Sequence, residues 1–319
     1  MLDDIVLPNS SVQAQLEVFW DIVSNECQDG RKYLIWLDSG SSEFFDFHSN
    51  DEEQRLDIVI YKEPMMQLFP TLLAIQNQLI GDKWDWKTVS NTDIQQTDKL
   101  HKIFLAIVPI LFINNESHTL ILILESMVDL LGIPNKKVLR LLQCLLTCSR
   151  NNINKSSSYW TFLRKLYSTN SFQQSIFIDI LIASATIHRK SYYCWNFASF
   201  FATIEFARGA DLTPIYSQVK QFCTRNLDYG AWKVLCELII IMVSANMNQY
   251  WLKEFERWND NNNNNKLRTP NNSEQLHQKT MNWAKQELFI LSDYIKSSQT
   301  ESLIPLKIIN WVHAELELS

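Results

Sequence analysis

From about residue 98 onward, apolar positions recur every three to four residues, the period of a helix that buries one stripe. NKKVLRLLQCLLTCSR sets Val138, Leu141, Leu142, Leu145 and Cys148 on one face. FQQSIFIDILIASATI does so with Phe172, Ile176, Ile180 and Ala183, and TPIYSQVKQFCTRN with Ile215, Val219, Phe222 and Cys223. Each is followed by a second helical segment with a tryptophan near its start. NKSSSYWTFLRKLY, HRKSYYCWNFASFF and NLDYGAWKVLCELI align without gaps on Trp160, Trp195 and Trp232, spaced 35 and 37 residues apart. NNESHTLILILESM fits the same frame with Ile121, and ESLIPLKIINWVHAEL offers Trp311 as a diverged last copy. One helical hairpin cannot bury its own stripe, so neighbours must stack. The pattern predicts an all-α fold, an alpha-alpha superhelix or solenoid of helical hairpins over residues 96–319.

Residues 1–95 read differently, as a distinct N-terminal extension. KYLIWLD (Lys32–Asp38) and RLDIVIYK (Arg55–Lys62) are rich in Ile, Val, Tyr and Trp, and admit two strands flanking SGSSEFFDFHSNDEEQ. Near the other end, Asn259–Gln275 has almost no apolar residues and reads as a disordered Asn-rich insertion at about residues 258–276. Helical spacing resumes after it through Trp283, Leu288, Leu291 and Tyr294.

Composition narrows the classes. Six glycines and eight prolines in 319 residues are few, which favours long helices over turn-rich sheets. A net charge of −6 with no Lys/Arg-rich run argues against a nucleic-acid groove, which needs a clustered positive field. The six cysteines form no CxxC pair and have no histidine at zinc-finger spacing, so they read as reduced core residues of a cytoplasmic protein. Cys144 and Cys148, four apart, lack nearby histidines to complete a metal site. MLDDIVLPNS has no signal-peptide core, and the apolar run Ile103–Ile113, interrupted by Pro109, is too short for a transmembrane segment. GxSxG, P-loop and HExxH patterns are absent from the sequence.

The turns before the tryptophans carry the chemistry. RKSYYCW places Lys190, Ser191 and Tyr192 five, four and three residues ahead of Trp195. NKSSSYW keeps Lys155 and Trp160 but has Ser157, and NLDYGAW keeps Tyr229 and Trp232 but has Leu227. An arginine after the tryptophan survives as Arg164. Over about residues 98–315 this resembles the alpha-subunit repeat of protein prenyltransferases, roughly P-K-N-Y-x-x-W-x-x-R. Within that family it is most similar to the alpha-like subunit of type III geranylgeranyltransferase.

The resemblance implies an alpha subunit inactive without a prenyltransferase beta subunit, which would hold the zinc; no cofactor is expected in this chain. The heterodimer would move a prenyl group from geranylgeranyl diphosphate to a protein substrate with a C-terminal cysteine, such as an already prenylated SNARE. It assigns Lys155, Lys190 and Tyr192 to catalysis and, with Tyr193, to the diphosphate, whose growing negative charge an ammonium and a phenol would stabilise. A helix N-terminus adds its own attraction for an anion. The competing expectation is a non-enzymatic helical-repeat scaffold that binds a protein partner. Either way Trp160, Trp195 and Trp232 read as packing residues, as does Tyr229. His188, Arg164 and Lys165 read as solvated.

Overall fold

The computed structural model describes residues 9–25, 32–38, 40–41, 43–50, 52, 55–66, 68, 94–113, 118–148, 153–244, 247–259, 274–297 and 304–318. Among them the chain is mostly helical, with a small three-stranded sheet. It divides into two compact units, Met1–Leu166 and Tyr167–Ser319.

In the first unit, Asn9 starts helix α1 (Ser10–Ser24) by accepting the Val12 N–H on its side chain at 3.0 Å. Leu16, Phe19, Trp20 and Val23 follow at helical spacing and are buried. The strands are β1 (Lys32–Asp38), β2 (Phe45–Asn50) and β3 (Arg55–Tyr61), in the order β1-β3-β2. β1 runs parallel to β3 and β2 antiparallel to it. The two expected strands are thus direct neighbours, and the stretch read as their connection supplies a third. β2 is fully buried only at Phe45 and half-buried at Phe47; FDFH alternates apolar and polar residues over just four positions, and that short signal sits in the stretch read as a connection.

After the short α2 (Lys62–Met66) come α3 (Ile94–Ile113), α4 (His118–Leu131) and α5 (Asn135–Thr147). Ile103–Leu105 and the apolar run through Ile113 are buried in α3, with Pro109 inside the helix. Phe19 of α1 stacks on Phe45 of β2 with ring centroids 4.4 Å apart and meets Phe112 of α3 edge-on at 5.7 Å. Trp20 meets Phe104 edge-on at 4.8 Å. Such pairs contribute about 0.5–1.5 kcal/mol each beyond area burial, so α1 fastens the sheet to α3. The expected stripe of α5 is buried at Val138, Leu141, Leu142, Leu145 and Cys148, and Ile121 of α4 is buried as well. A 3-10 turn, Ile153–Lys155, leads into α6 (Ser157–Thr169), within which the two units divide.

The second unit continues with α7 (Gln174–Ile187), α8 (Tyr192–Ala207), α9 (Thr213–Arg225), α10 (Tyr229–Ser244), α11 (Gln249–Asn259), α12 (Glu274–Ser297) and α13 (Ile304–Leu318). α7 packs on α8, α9 on α10 and α12 on α13, while α10 also contacts α8 and α12. The pairs α7–α8 and α9–α10 correspond to expected helical hairpins. α8 is apolar almost all round and buried accordingly, from Trp195 through Phe197, Phe200 and Phe201 to Ile204. At its C-terminal end the Tyr167 hydroxyl donates to the Glu205 carboxylate, and Arg208 pairs with Glu205 at 3.1 Å while lying 4.6 Å over the Tyr167 ring.

Several expectations shift here. α7 buries Phe177, Ile178, Ile180, Leu181, Ser184 and Ala185, so only Ile180 of the expected stripe is fully buried. His188, expected in solvent, is 5% exposed where α7 ends. Lys165 is not simply solvated but pairs with Glu125 at 2.6 Å. Trp311 is 47% exposed and does not take the buried position of the other repeat tryptophans. The Asn-rich tract lies almost wholly outside the described residues. Among the described residues, no single helix is long and apolar enough to cross a membrane, and no three His, Cys, Asp or Glu side chains could together hold a metal ion.

Candidate functional site

The turn between α7 and α8 contains Lys190 at φ +62°, the one left-handed non-glycine residue among those described. Such a backbone costs an L-residue about 1–2 kcal/mol. Asp228, from the next hairpin, holds it there: the Lys190 N–H donates to Asp228 Oδ2 at 2.8 Å. Asp228 is 2% exposed and stands just ahead of α10. Its Oδ1 accepts the N–H groups of Gly230 at 3.0 Å and Ala231 at 3.4 Å, and its backbone carbonyl accepts that of Trp232 at 3.1 Å. This is an N-cap, placed where helix N–H groups lack partners and where negative charge is favoured. One buried carboxylate therefore starts α10 and fixes the Lys190 turn.

Gly230 brings the first turn of α10 onto Trp195. A Cβ there would lie 2.4 Å from Trp195 Cδ1 and 2.9 Å from Cγ. Trp195 is 3% exposed and packs against Phe222 with centroids 5.2 Å apart.

Between the Lys190 turn, the start of α10 and Pro305 of α13 lies a groove of about 520 Å³, also lined by Trp195 and Trp232. Three large side chains along it stand open to solvent: Tyr192 is 69% exposed, Leu227 59% and Tyr229 56%. The lining is mostly apolar. Lys190 is exposed and is the one lining cation, while the one lining carboxylate, Asp228, is engaged by three backbone donors.

The tryptophans differ in their polar edges. Trp160 Nε1 donates to the Asn154 carbonyl at 2.6 Å, within its own turn. Trp195 Nε1 and Trp232 Nε1, both buried in groove-lining residues, meet no acceptor. A buried donor left unpaired costs about 1–3 kcal/mol.

Of the residues singled out from sequence, Lys190 and Tyr192 meet in this groove. Tyr193 is half-buried, its ring edge-on to Tyr192 at 5.3 Å. Lys155 is exposed on the 3-10 turn of the first unit and does not line the groove. Trp160, Trp195 and Trp232 are buried. Tyr229, expected to pack, is instead exposed. Asp228, Gly230, Leu227 and Pro305 were missed; the LDYG string held one usable signal, an aspartate three residues ahead of the Ala231 N–H it caps.

Two family models match this chain: the ECM9 N-terminal domain over residues 10–147 and the ECM9 middle domain over residues 159–262. The chain is similar to Protein ECM9 of Saccharomyces cerevisiae, 26% identical over 208 residues that cover 60% of this chain and 51% of the relative. It thus spans about half the length of the curated relative it matches. No solved structure matches it.

These matches correct the prenyltransferase reading. The similarity is to ECM9 domains, not to a prenyltransferase alpha subunit, and the placement with type III geranylgeranyltransferase falls with it. So do the beta-subunit partner, geranylgeranyl diphosphate and the substrate with a C-terminal cysteine. The residues that carried the resemblance have packing explanations: the tryptophans are buried between helices, and Asp228 shapes the Lys190 turn. A tryptophan opening the second helix of a hairpin of this length is a packing solution available to unrelated helical repeats.

Proposed function

We propose that the chain is a helical-repeat scaffold, its hairpins stacked as an alpha-alpha superhelix, and that the groove of the second unit receives a segment of a partner protein. The observation that carries this is the exposure of Tyr192, Leu227 and Tyr229 along one groove. Large amphipathic side chains of this kind supply much of the energy at protein interfaces. The groove's volume lies within the roughly 300–1,000 Å³ of ordinary binding pockets. Its groups favour binding over chemistry, since the lining carboxylate is committed to backbone donors. We also place the protein in the cytoplasm. Its five described cysteines are buried thiols, a state that a reducing compartment preserves.

Photocrosslinking in the native host tests the scaffold reading. Full-length protein carries p-benzoylphenylalanine in place of Leu227 in the groove or of Glu256, exposed on α11. A discrete protein adduct from position 227, absent from 256 and lost with Tyr229→Ala, is expected. Equal labelling from both positions overturns the proposal.

A further inference from the structure

We infer that α12 is a self-association surface: two copies of the chain pair antiparallel along the exposed face of this helix, with Phe289 of each copy at the two-fold axis. No residue of α12 lines the groove, so the surface is separate from it and does not rest on the scaffold reading.

The other sides of α12 are occupied. Ala284, Leu288, Leu291 and Ile295 form its buried stripe, and the helix contacts both α10 and α13. One flank meets α9. There the Trp283 ring lies edge-on to Tyr216 at 5.4 Å, Glu287 pairs with Lys220, and the Tyr294 hydroxyl donates to the Thr224 carbonyl. What remains is a stripe of Asn282, Lys285, Phe289, Asp293 and Lys296, all exposed. At about 3.6 residues per turn, these five lie within about 40° of Phe289 around the helix.

Phe289 is 69% exposed, and no large apolar side chain among the described residues is more so. Ile290 beside it is 45% exposed and widens the patch. An exposed phenylalanine alone carries little, since single apolar residues are common on protein surfaces. Its flanks decide the occupant.

Lys285 and Asp293 stand four residues before and four after Phe289. Neither has an ion-pair partner among the described residues. In an antiparallel pair centred on Phe289, each position faces the one equally far beyond the centre. Lys285 then meets the second copy's Asp293, Asp293 meets the second copy's Lys285, and Asn282 meets Lys296. A parallel pair would set lysine against lysine and aspartate against aspartate, so charge selects the antiparallel arrangement. A closed two-fold dimer needs a face that complements itself in this way. The phenyl rings meet at the axis, where packed helices lie about 8–10 Å apart and two rings fill the gap. One helix face per copy makes a small interface, so association is reversible and depends on concentration.

Sedimentation velocity of the full chain across a wide range of concentration tests this, with circular dichroism confirming that each variant keeps its helices. Wild type should associate to a dimer. Phe289→Ala, Lys285→Glu and Asp293→Lys should each weaken association by about tenfold, because each charge reversal turns two facing pairs into two like-charge contacts and the alanine empties the axis. The double variant Lys285→Glu/Asp293→Lys should regain wild-type association. So should an equimolar mixture of the two single charge variants, in which each copy supplies the charge that the other lacks. A wild-type chain that stays monomeric throughout overturns the inference, as does a dimer that Phe289→Ala leaves intact. A double variant that associates no better than the single ones overturns the antiparallel pairing.

Discussion

Gly230 lies flat against Trp195, so close that a single added methyl would stand 2.4 Å from Trp195 Cδ1. The opposing atoms belong to a buried ring rather than to the end of a flexible chain, so neither side yields easily. Gly230→Ala should destabilise the protein by about 1–3 kcal/mol, the usual cost of overpacking. Urea unfolding measures it, and the Trp195 indole signal should move in the folded state. A stability within 0.5 kcal/mol of wild type would mean that α10 slides freely over Trp195 and does not set the groove's width.

The Lys190–Asp228 contact makes two opposite predictions. Relieving the left-handed strain, Lys190→Gly should gain about 1–2 kcal/mol, less about 0.5–1 kcal/mol for the greater freedom of glycine when unfolded. A small net stabilisation is expected. Asp228→Ala removes the cap of α10 and strands the Lys190 N–H, and should cost about 1–3 kcal/mol. Paired urea titrations of the two variants check both signs; destabilisation by Lys190→Gly would show that the lysine side chain contributes more than its backbone loses.

The tryptophans can be separated in the same way. Trp160→Phe and Trp232→Phe remove the same volume from buried sites, but only Trp160 loses a hydrogen bond, that of Nε1 to the Asn154 carbonyl. Trp160→Phe should therefore be the more costly by about 1–2 kcal/mol. Equal losses in thermal or urea unfolding would show that the Trp232 donor is satisfied in solution.

How much of this was legible in the sequence depends on contrast. α5 and α9 alternate charged and apolar residues at helical spacing, so their buried faces could be read directly. α7 could not be read this way: in SIFIDILIASATI nearly every position is apolar, and periodicity does not choose a face. α1 carried a usable signal that went unread, an asparagine cap followed by Leu16, Phe19, Trp20 and Val23 at helical spacing. At the groove, the odd Lys190–Tyr192 turn stood out locally. Its holder, Asp228, lies 38 residues away and meets it only because successive hairpins pack. The exposure of Tyr229 likewise follows from packing rather than from residue type. The tryptophan period was real as a pattern but did not identify a family, because it reports on stacking alone.

Burial of the cysteines gives the chain a predictable response to alkali. In the first unit, burial pushes the Cys144 thiol from its ordinary 9.0 up to about 12. In the second, burial does the same to Cys236, again to about 12. Below the unfolded thiol's pKa both states hold the proton, and the thiols contribute no pH dependence. Above about pH 9 the unfolded chain releases its thiol protons while the folded chain keeps them, so stability falls as pH rises toward 12. Each thiol should contribute a slope of about 1.4 kcal/mol per pH unit in that window. Urea unfolding of Cys236→Ala against wild type, measured from pH 8 to 11, isolates the share of Cys236 from that of the other buried thiols, the lysines and the tyrosines. The variant's stability should fall less steeply above pH 9, and native protein at pH 8 should resist thiol-modifying reagents at its buried cysteines. Parallel stability curves for the two proteins across that range would show that Cys236 ionises while folded.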